Sequence, residues 1–316
     1  MRLKTCLAAL AAAALGAFAS SPAFAQEAGD AVCAQCHSEL AAGLASTKHG
    51  VKTYSATPAG MNRGCTACHG DVSAHLKDPI KAKPALQFTK GKGTPAAQTA
   101  ACTSCHGADK QLTFWESGRH ARNDVACSSC HSIHGRSKEP RISPFVTTQR
   151  TLEYETCTAC HLQIRGQILK PSHHPIVEGK VTCSDCHNPH GALSPNMLKS
   201  ETVNDQCLSC HTDKRGPFVF EHPAVADNCL SCHMPHGSAH NKLLAEKVPN
   251  LCQDCHDWSR HPGTMYSGKE GWPPIGTAAN PSATANTRVI ARSCLNCHNQ
   301  VHGSNAPGNR GKFFLR

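Results

Sequence analysis

Residues 157–191 read CTACHLQIRGQILKPSHHPIVEGKVTCSDCHNPHG, and this stretch decides the fold. It contains two Cys-x-x-Cys-His motifs, which begin at Cys157 and Cys183. A further histidine accompanies each motif: His174 lies between the two motifs, and His190 follows the second. Two thiols placed directly before an imidazole are the signature of covalent attachment of a c-type haem.

The same motif occurs ten times and uses every one of the 21 cysteines except Cys6. In a c-type haem site both thiols add to the haem vinyl groups, and the histidine becomes the proximal iron ligand. A zinc knuckle or a redox dithiol does not require a histidine at that position. We therefore predict ten covalently bound haem c groups (iron), attached at Cys33, Cys36, Cys65, Cys68, Cys102, Cys105, Cys127, Cys130, Cys157, Cys160, Cys183, Cys186, Cys207, Cys210, Cys229, Cys232, Cys252, Cys255, Cys294 and Cys297. The predicted proximal ligands are His37, His69, His106, His131, His161, His187, His211, His233, His256 and His298.

The remaining histidines supply the distal ligands. Of the 22 histidines, twelve lie outside the motifs, and their positions nominate ten as distal ligands: His49, His75, His120, His134, His174, His190, His222, His236, His261 and His302. His173 and His240 are spare, and His173 could exchange roles with His174. With two histidines on each iron no coordination site is open to a substrate, so we expect an electron carrier and not an enzyme.

Three of these distal candidates follow a proximal histidine by only three residues, namely His134, His190 and His236. Such a residue lies on the same side of the chain as the proximal ligand and cannot reach the opposite face of the same haem. We therefore predict that each of the three ligates the iron of a neighbouring haem.

The repeats define five two-haem modules, each with a motif, a free histidine, a second motif and another free histidine. Their approximate bounds are 26–95, 96–150, 151–200, 201–246 and 247–316. The segments between motifs are rich in proline, glycine and lysine, which indicates loops, and no alternating strand pattern is present. The predicted fold class is a multihaem cytochrome c of mainly irregular loops with short α-helices around an extended chain of ten haems, and no substantial β-sheet. Glycines that follow several distal candidates, such as Gly191, would permit positive φ or the close approach of a porphyrin.

Residues 1–25 predict a Sec-type signal peptide, with basic Arg2 and Lys4, an apolar stretch from Leu7 to Ser20, and small residues before the cleavage site. The mature decahaem cytochrome c domain, residues 26–316, is therefore expected in the periplasm. No other stretch is apolar enough to span a lipid bilayer directly.

The charge balance also limits the choice of partners. The 32 basic and 22 acidic residues give a formal charge of +10. A ferric bis-histidine haem adds about −1, because its two propionates outweigh the charge of the metal centre. Ten haems thus bring the protein close to neutral, and we predict no nucleic-acid partner. Aromatic residues make up only 5% of the chain, so folding is expected to depend on the haems.

The motif number, the signal peptide and the Pro-His-Gly tails at residues 188–191 and 234–237 resemble the MtrA/DmsE family of decahaem cytochromes. The ending, Val301 to Asn305 followed by Gly311 to Phe314, is similar to the DmsE branch. The resemblance covers the mature chain, although its first module is less regular. It implies an extended chain of haems inside an outer-membrane β-barrel porin.

The family also implies the partners. Electrons would pass between periplasmic or inner-membrane cytochromes and an outer-surface multihaem cytochrome or terminal reductase, in metal oxide or dimethyl sulfoxide respiration or in iron oxidation. One alternative is a soluble periplasmic electron shuttle or store without a barrel, which a salt wash would release from membranes. A further alternative is a multihaem oxidoreductase enzyme, which would need an open or lysine-ligated haem; the chain contains no Cys-x-x-Cys-Lys motif.

Overall fold

The computed structural model describes residues 30–45, 47–50, 64–89, 91–134, 148–256 and 294–315. The α-helices are α1 (Asp30–Ala34), α2 (Ser38–Ala45), α3 (Thr66–His69), α4 (Ser73–Lys77), α5 (Pro95–His106), α6 (Arg119–Arg122), α7 (Thr148–Thr158), α8 (Leu162–Ile168), α9 (Cys183–Cys186), α10 (Val203–Leu208), α11 (Pro223–Asp227), α12 (Asn250–Gln253) and α13 (Gly308–Lys312). Single turns of 3₁₀ helix cover Lys48–Gly50, Lys110–Leu112, Cys127–Ser129, Pro195–Met197, Thr212–Lys214, Cys229–Ser231, Asn241–Leu243 and Cys294–Asn296. Within these described ranges no β-strand forms, and isolated bridges such as His187 to Leu198 are the nearest approach to one. This confirms the predicted class of short helices and irregular loops without a substantial sheet.

The described chain divides into two compact units. One contains the described residues up to 105 together with 132–134, and the other contains 106–131, 148–256 and 294–315. The predicted five-module division is finer than this and stays a prediction. The predicted signal peptide lies outside the described residues. None of the helices in the described part of the chain has the length and apolar character that a membrane span requires.

The attachment motifs share one local structure, a single helical turn. The backbone N–H of the motif histidine donates to the carbonyl of the first cysteine over 2.9–3.1 Å. This bond is made by His37, His69, His131, His161, His187, His211, His233, His256 and His298. Residues three and four apart share one helix face, so the turn directs both thiols and the imidazole to the same side.

Side chains alone provide only a small core. The buried apolar residues of the described chain are Val72, Trp115, Ala126, Ile168 and Ile176. Burial of one such side chain contributes about 1.5–3 kcal/mol, whereas ordering the backbone costs about 1–2 kcal/mol per residue. Packing among these few residues therefore cannot by itself offset the conformational entropy of the chain.

Glycines at three equivalent places bring distant segments into contact. Gly191, Gly237 and Gly303 each follow a predicted distal histidine and have positive φ. A Cβ at Gly191 would overlap the carbonyl oxygen of Phe114, and one at Gly237 would overlap the carbonyl oxygen of Gln167. These two glycines therefore let their segments lie close to the protein backbone of the preceding module.

The small core predicts that the chain does not fold without covalently attached haem. Protein produced in a host that lacks cytochrome c maturation should show no cooperative unfolding transition in a urea titration followed by far-UV circular dichroism. The matured protein is the control and should unfold cooperatively. A sigmoidal transition in the haem-free chain would contradict this prediction.

The glycine contacts predict that Gly191→Ala destabilises the matured protein by roughly 2–4 kcal/mol, from a strained φ of 113° and the overlap with Phe114. Gly166→Ala is the matched control, because Gly166 lies exposed inside α8 with open space around the added methyl group. Alanine at position 166 should stabilise the helix by about 0.5–1 kcal/mol. Urea midpoints of both variants measure the difference, and equal midpoints would contradict the prediction.

Candidate haem centres

Capping residues fix where the attachment turns begin in the third and fourth modules. The backbone N–H of Thr182 donates to the Asp185 carboxylate over 2.8 Å at the start of α9. At the start of α10 the Thr202 hydroxyl accepts from the Asp205 N–H over 3.0 Å. A Thr-x-x-Asp pair of this kind satisfies donors that the first helical turn leaves free. The motif cysteines therefore enter their turns in a defined orientation.

Predicted proximal and distal histidines face each other across gaps of one size. In the described chain, eight predicted proximal rings lie with their centroids 5.9–6.2 Å from the ring of a predicted distal histidine. The pairs, proximal residue first, are His37 with His75, His69 with His134, His131 with His190, His161 with His120, His187 with His236, His211 with His174, His233 with His302 and His256 with His222.

This gap fits a metal ion with two axial imidazoles. A metal–imidazole bond is about 2 Å long, and the ring centre lies about 1 Å behind the nitrogen, so two such rings have centroids about 6 Å apart. The measured separations agree with that value, whereas stacked rings in van der Waals contact would lie closer. The paired side chains therefore fit the haem iron that the attachment motifs imply.

The pairs follow one rule in the interior of the chain. The histidine between the motifs of one module faces the first proximal histidine of the next module, as His174 faces His211. The histidine after the second motif faces the second proximal histidine of the preceding module, as His236 faces His187. His134 and His190 follow the same rule, with His69 and His131. His134, His190 and His236 thus each lie opposite a proximal histidine that belongs to a different motif from the one three residues before them.

Two of the ten predicted distal ligands are not part of these pairs. His49 lies in the turn Lys48–Gly50, and His261 lies outside the described residues. Among the predicted proximal ligands, His106 ends α5, and His298 follows the turn Cys294–Asn296. Their roles as ligands stay predictions.

The structure separates the roles of His173 and His174. His174 faces His211, and its Nδ1–H donates to the carbonyl of Pro235 over 2.6 Å. Both ring nitrogens of His173 are engaged elsewhere: Nδ1 lies 2.5 Å from the carbonyl oxygen of Lys170 and Nε2 3.0 Å from the Glu178 carboxylate. The hydrogen bond with Glu178 raises the pKa of His173. The geometry thus favours His174 as the ligand.

Backbone carbonyls orient the paired rings. Nδ1 of His69 donates to Leu86 over 3.0 Å, that of His75 to Ala82 over 2.9 Å, and that of His120 to Pro189 over 2.8 Å. A proton held at Nδ1 leaves Nε2 as the free lone pair that can bind a metal. These carbonyls therefore set the tautomer and the direction of each ring.

None of these orienting carbonyls is predicted by the sequence motifs, and two further ones follow a repeated pattern. Nδ1 of His187 donates to the carbonyl of Asn196, and Nδ1 of His233 to that of Lys242, each over 2.9 Å. Asn196 and Lys242 both have positive φ, near 55–60°. Each lies nine residues after its motif histidine, so comparison of the third and fourth modules could have found the pair.

Burial lowers the pKa of four of the paired rings, which favours the neutral form that a metal ligand needs. Desolvation is the main cause of a lowered pKa at His190, His222, His236 and His302. A lowered pKa keeps the imidazole neutral, and only the neutral ring can donate a lone pair to a metal.

Cysteines of successive motifs lie close together. Before haem attachment, burial and, to a smaller extent, the neighbouring Cys229 raise the pKa of the Cys207 thiol to about 11. Burial and the neighbouring Cys294 raise the pKa of the Cys252 thiol to about 11 in the same way. Sulfur atoms of Cys157 and Cys183 lie within 4.8 Å of each other and of the Glu153 carboxylate. Consecutive attachment sites are therefore neighbours in space within the second unit.

Comparison with protein families agrees with this arrangement. Residues 173–216 and 222–261 match the doubled CXXCH motif family, residues 65–150 match the NrfB-like cytochrome c-type proteins, and residues 20–107 match cytochrome c7 and related cytochromes c.

A curated relative covers most of the chain. The multiheme cytochrome MtrA of Shewanella baltica (strain OS185) is 39% identical over 287 residues, which span 90% of this chain and 80% of the relative. Covalent haem c attachment and electron transfer follow from this relationship together with the attachment motifs. The chain therefore belongs to the MtrA-type family of multihaem c-type cytochromes, which are electron carriers and not enzymes.

Proposed function

We propose that this protein carries electrons along ten covalently attached haems through the outer membrane, inside a β-barrel porin partner. It would link periplasmic or inner-membrane cytochromes to an outer-surface multihaem cytochrome or terminal reductase. The observation that carries this proposal is the set of paired imidazoles, separated by 5.9–6.2 Å.

The chain's own residues support a role in electron transfer without substrate binding. Each haem supplies one-electron exchange at its iron when bound. The two histidines of a pair would both bind the iron, and no coordination site would then be left for a small molecule. Backbone carbonyls at Nδ1 make the imidazoles stronger electron donors, which favours low reduction potentials.

The connections between modules support a continuous path. The predicted distal histidines of an interior module face proximal histidines of the module before it and the module after it, which would hold neighbouring attachment sites side by side. The proximity of Cys157 to Cys183 is one instance. Short separations between consecutive redox centres are what rapid transfer along a chain requires.

The proposed location rests on the chemistry of the motif and on the relative. Covalent attachment of haem to Cys-x-x-Cys-His takes place outside the cytoplasm, so the protein would be periplasmic. A polar backbone with many loops cannot face lipid, because unsatisfied peptide groups in hydrocarbon are too costly. A chain of this kind can cross the outer membrane only within a protein sheath such as a β-barrel.

The location predicts that haem remains in the outer membrane after a high-salt wash and then co-elutes with a β-barrel protein. Size-exclusion of a mild detergent extract, with haem absorbance and identification of subunits in the peak, measures this. A soluble periplasmic protein from the same cells is the control and should be removed by the wash. Release of the haem protein as a single free chain would contradict the conduit and favour a periplasmic shuttle.

The imidazole pairing predicts that His174→Ala converts one haem in ten from low spin to high spin. The affected haem should be the one attached at Cys207 and Cys210, because His174 faces His211 of that motif. The ferric high-spin EPR signal, quantified against total haem, measures the effect. His173→Ala is the matched control: it removes the adjacent imidazole, which contacts Lys170 and Glu178, and should give no high-spin signal. The reverse result would assign His173 as the ligand.

A further inference from the structure

The junction between two attachment motifs contains a carboxylate. Glu153 lies on α7, one turn before Cys157. One of its oxygens accepts from the backbone N–H of Ser184 over 2.6 Å, and the other accepts from the Ser184 hydroxyl over 2.9 Å. A carboxylate oxygen and the sulfurs of Cys157 and Cys183 lie within 4.8 Å of one another. Glu153 therefore lies between the first cysteines of two successive motifs.

Glu153 and these two sulfurs do not form a metal site in the mature protein. Both sulfurs become thioethers when they add to the haem vinyl groups, and a thioether lacks the negative charge of the thiolate that binds most metals. Both carboxylate oxygens act as hydrogen-bond acceptors, which is the role of an ionised carboxylate. What remains beside both thioether bonds is the negative charge of Glu153, while the Asp185 carboxylate lies near the cysteines of the second motif only.

The next module makes a similar connection without a charge. Asn204 lies on α10, shortly before Cys207, and its Oδ1 accepts from the backbone N–H of Cys229 over 2.8 Å. Its Nδ2 donates to the carbonyls of Val225 and Ala226 over 3.0 Å. A neutral amide is thus sufficient to connect the helix before one motif to the turn of the next. The negative charge of Glu153 is therefore not needed for the connection between motifs, and its presence there favours an electrostatic role.

We propose that Glu153 lowers the reduction potentials of the two haems attached at Cys157–Cys160 and Cys183–Cys186. A nearby negative charge favours the oxidised centre, which carries one more positive charge than the reduced one. In the next module, whose haems would be attached at Cys207–Cys210 and Cys229–Cys232, the neutral Asn204 makes the connection between the two motifs. The inference rests on the proposed function, because it requires haem at each of these motifs.

The size of the effect follows from Coulomb's law. A unit charge on the order of 10 Å from a redox centre, in surroundings of effective dielectric constant about 20, changes the one-electron equilibrium roughly tenfold. A tenfold change corresponds to about 59 mV for a one-electron couple.

The first test is Glu153→Gln in the full-length matured protein. Glutamine can keep both contacts with Ser184, because its carbonyl accepts from the N–H and its amide donates to the hydroxyl oxygen. Spectroelectrochemical titration should show about a fifth of the total haem reduced more readily, with the ratio of reduced to oxidised haem raised roughly tenfold at a fixed potential. Glu155→Gln is the matched control, since it removes the same charge from an exposed position on the same helix and should shift the titration far less.

A reciprocal variant keeps the inference falsifiable if Glu153→Gln matures poorly. Asn204→Asp adds a charge at the equivalent junction and should make the haems attached at Cys207 and Cys229 harder to reduce by a similar factor. Titration curves that superimpose on the wild type for the variant that matures, or an equal shift in Glu155→Gln, would overturn the inference. A wild-type haem content below ten per chain would instead count against the proposed function, because haem content is measured independently of potential.

Discussion

An iron with two axial imidazoles would require two histidine rings with centroids about 6 Å apart, and the eight described histidine pairs meet that requirement. Apart from His37 and His75, the two rings of each described pair lie in different predicted modules. His120 faces His161 of the following module, and His190 faces His131 of the preceding one. Interior repeats of this kind are therefore connected to one another through their paired histidines. This pairing of histidines between repeats helps to explain other features of the structure.

The small core is one consequence. Helices of four to twelve residues are too short to be stable alone, and among the described residues only a few apolar side chains are buried. Glycines after the tail histidines let the end of one module lie directly on the backbone of the preceding module, as Gly191 lies on Phe114. The main structural role of the polypeptide is thus to position the cysteines, the imidazoles and the backbone carbonyls that orient the imidazoles.

The junctions between motifs show how a repeated frame can differ in function from place to place. Glu153 and Asn204 connect successive motifs by similar hydrogen bonds, yet one brings a negative charge and the other does not. Where the attached haems are chemically identical, such local charges are a means by which the protein can give individual haems different reduction potentials. Because the neutral Asn204 connects two motifs in the fourth module, the hydrogen bonds that connect motifs do not require the negative charge that Glu153 carries.

The sequence by itself determined the chemistry: the Cys-x-x-Cys-His motif specifies covalent attachment of haem c, because its single helical turn has the same geometry at each place where the structure describes it. It also determined the absence of a sheet in the described residues, because no alternating pattern is present to form one. Only the tertiary structure decided which histidine faces which, as with His174 and not its neighbour His173 opposite His211. It alone revealed Glu153 at the junction of two motifs, 31 residues from its partner Ser184 along the chain. The physical reason is that attachment depends on contacts within five residues, whereas ligand pairing and electrostatic environment depend on segments that approach one another only after the modules have assembled.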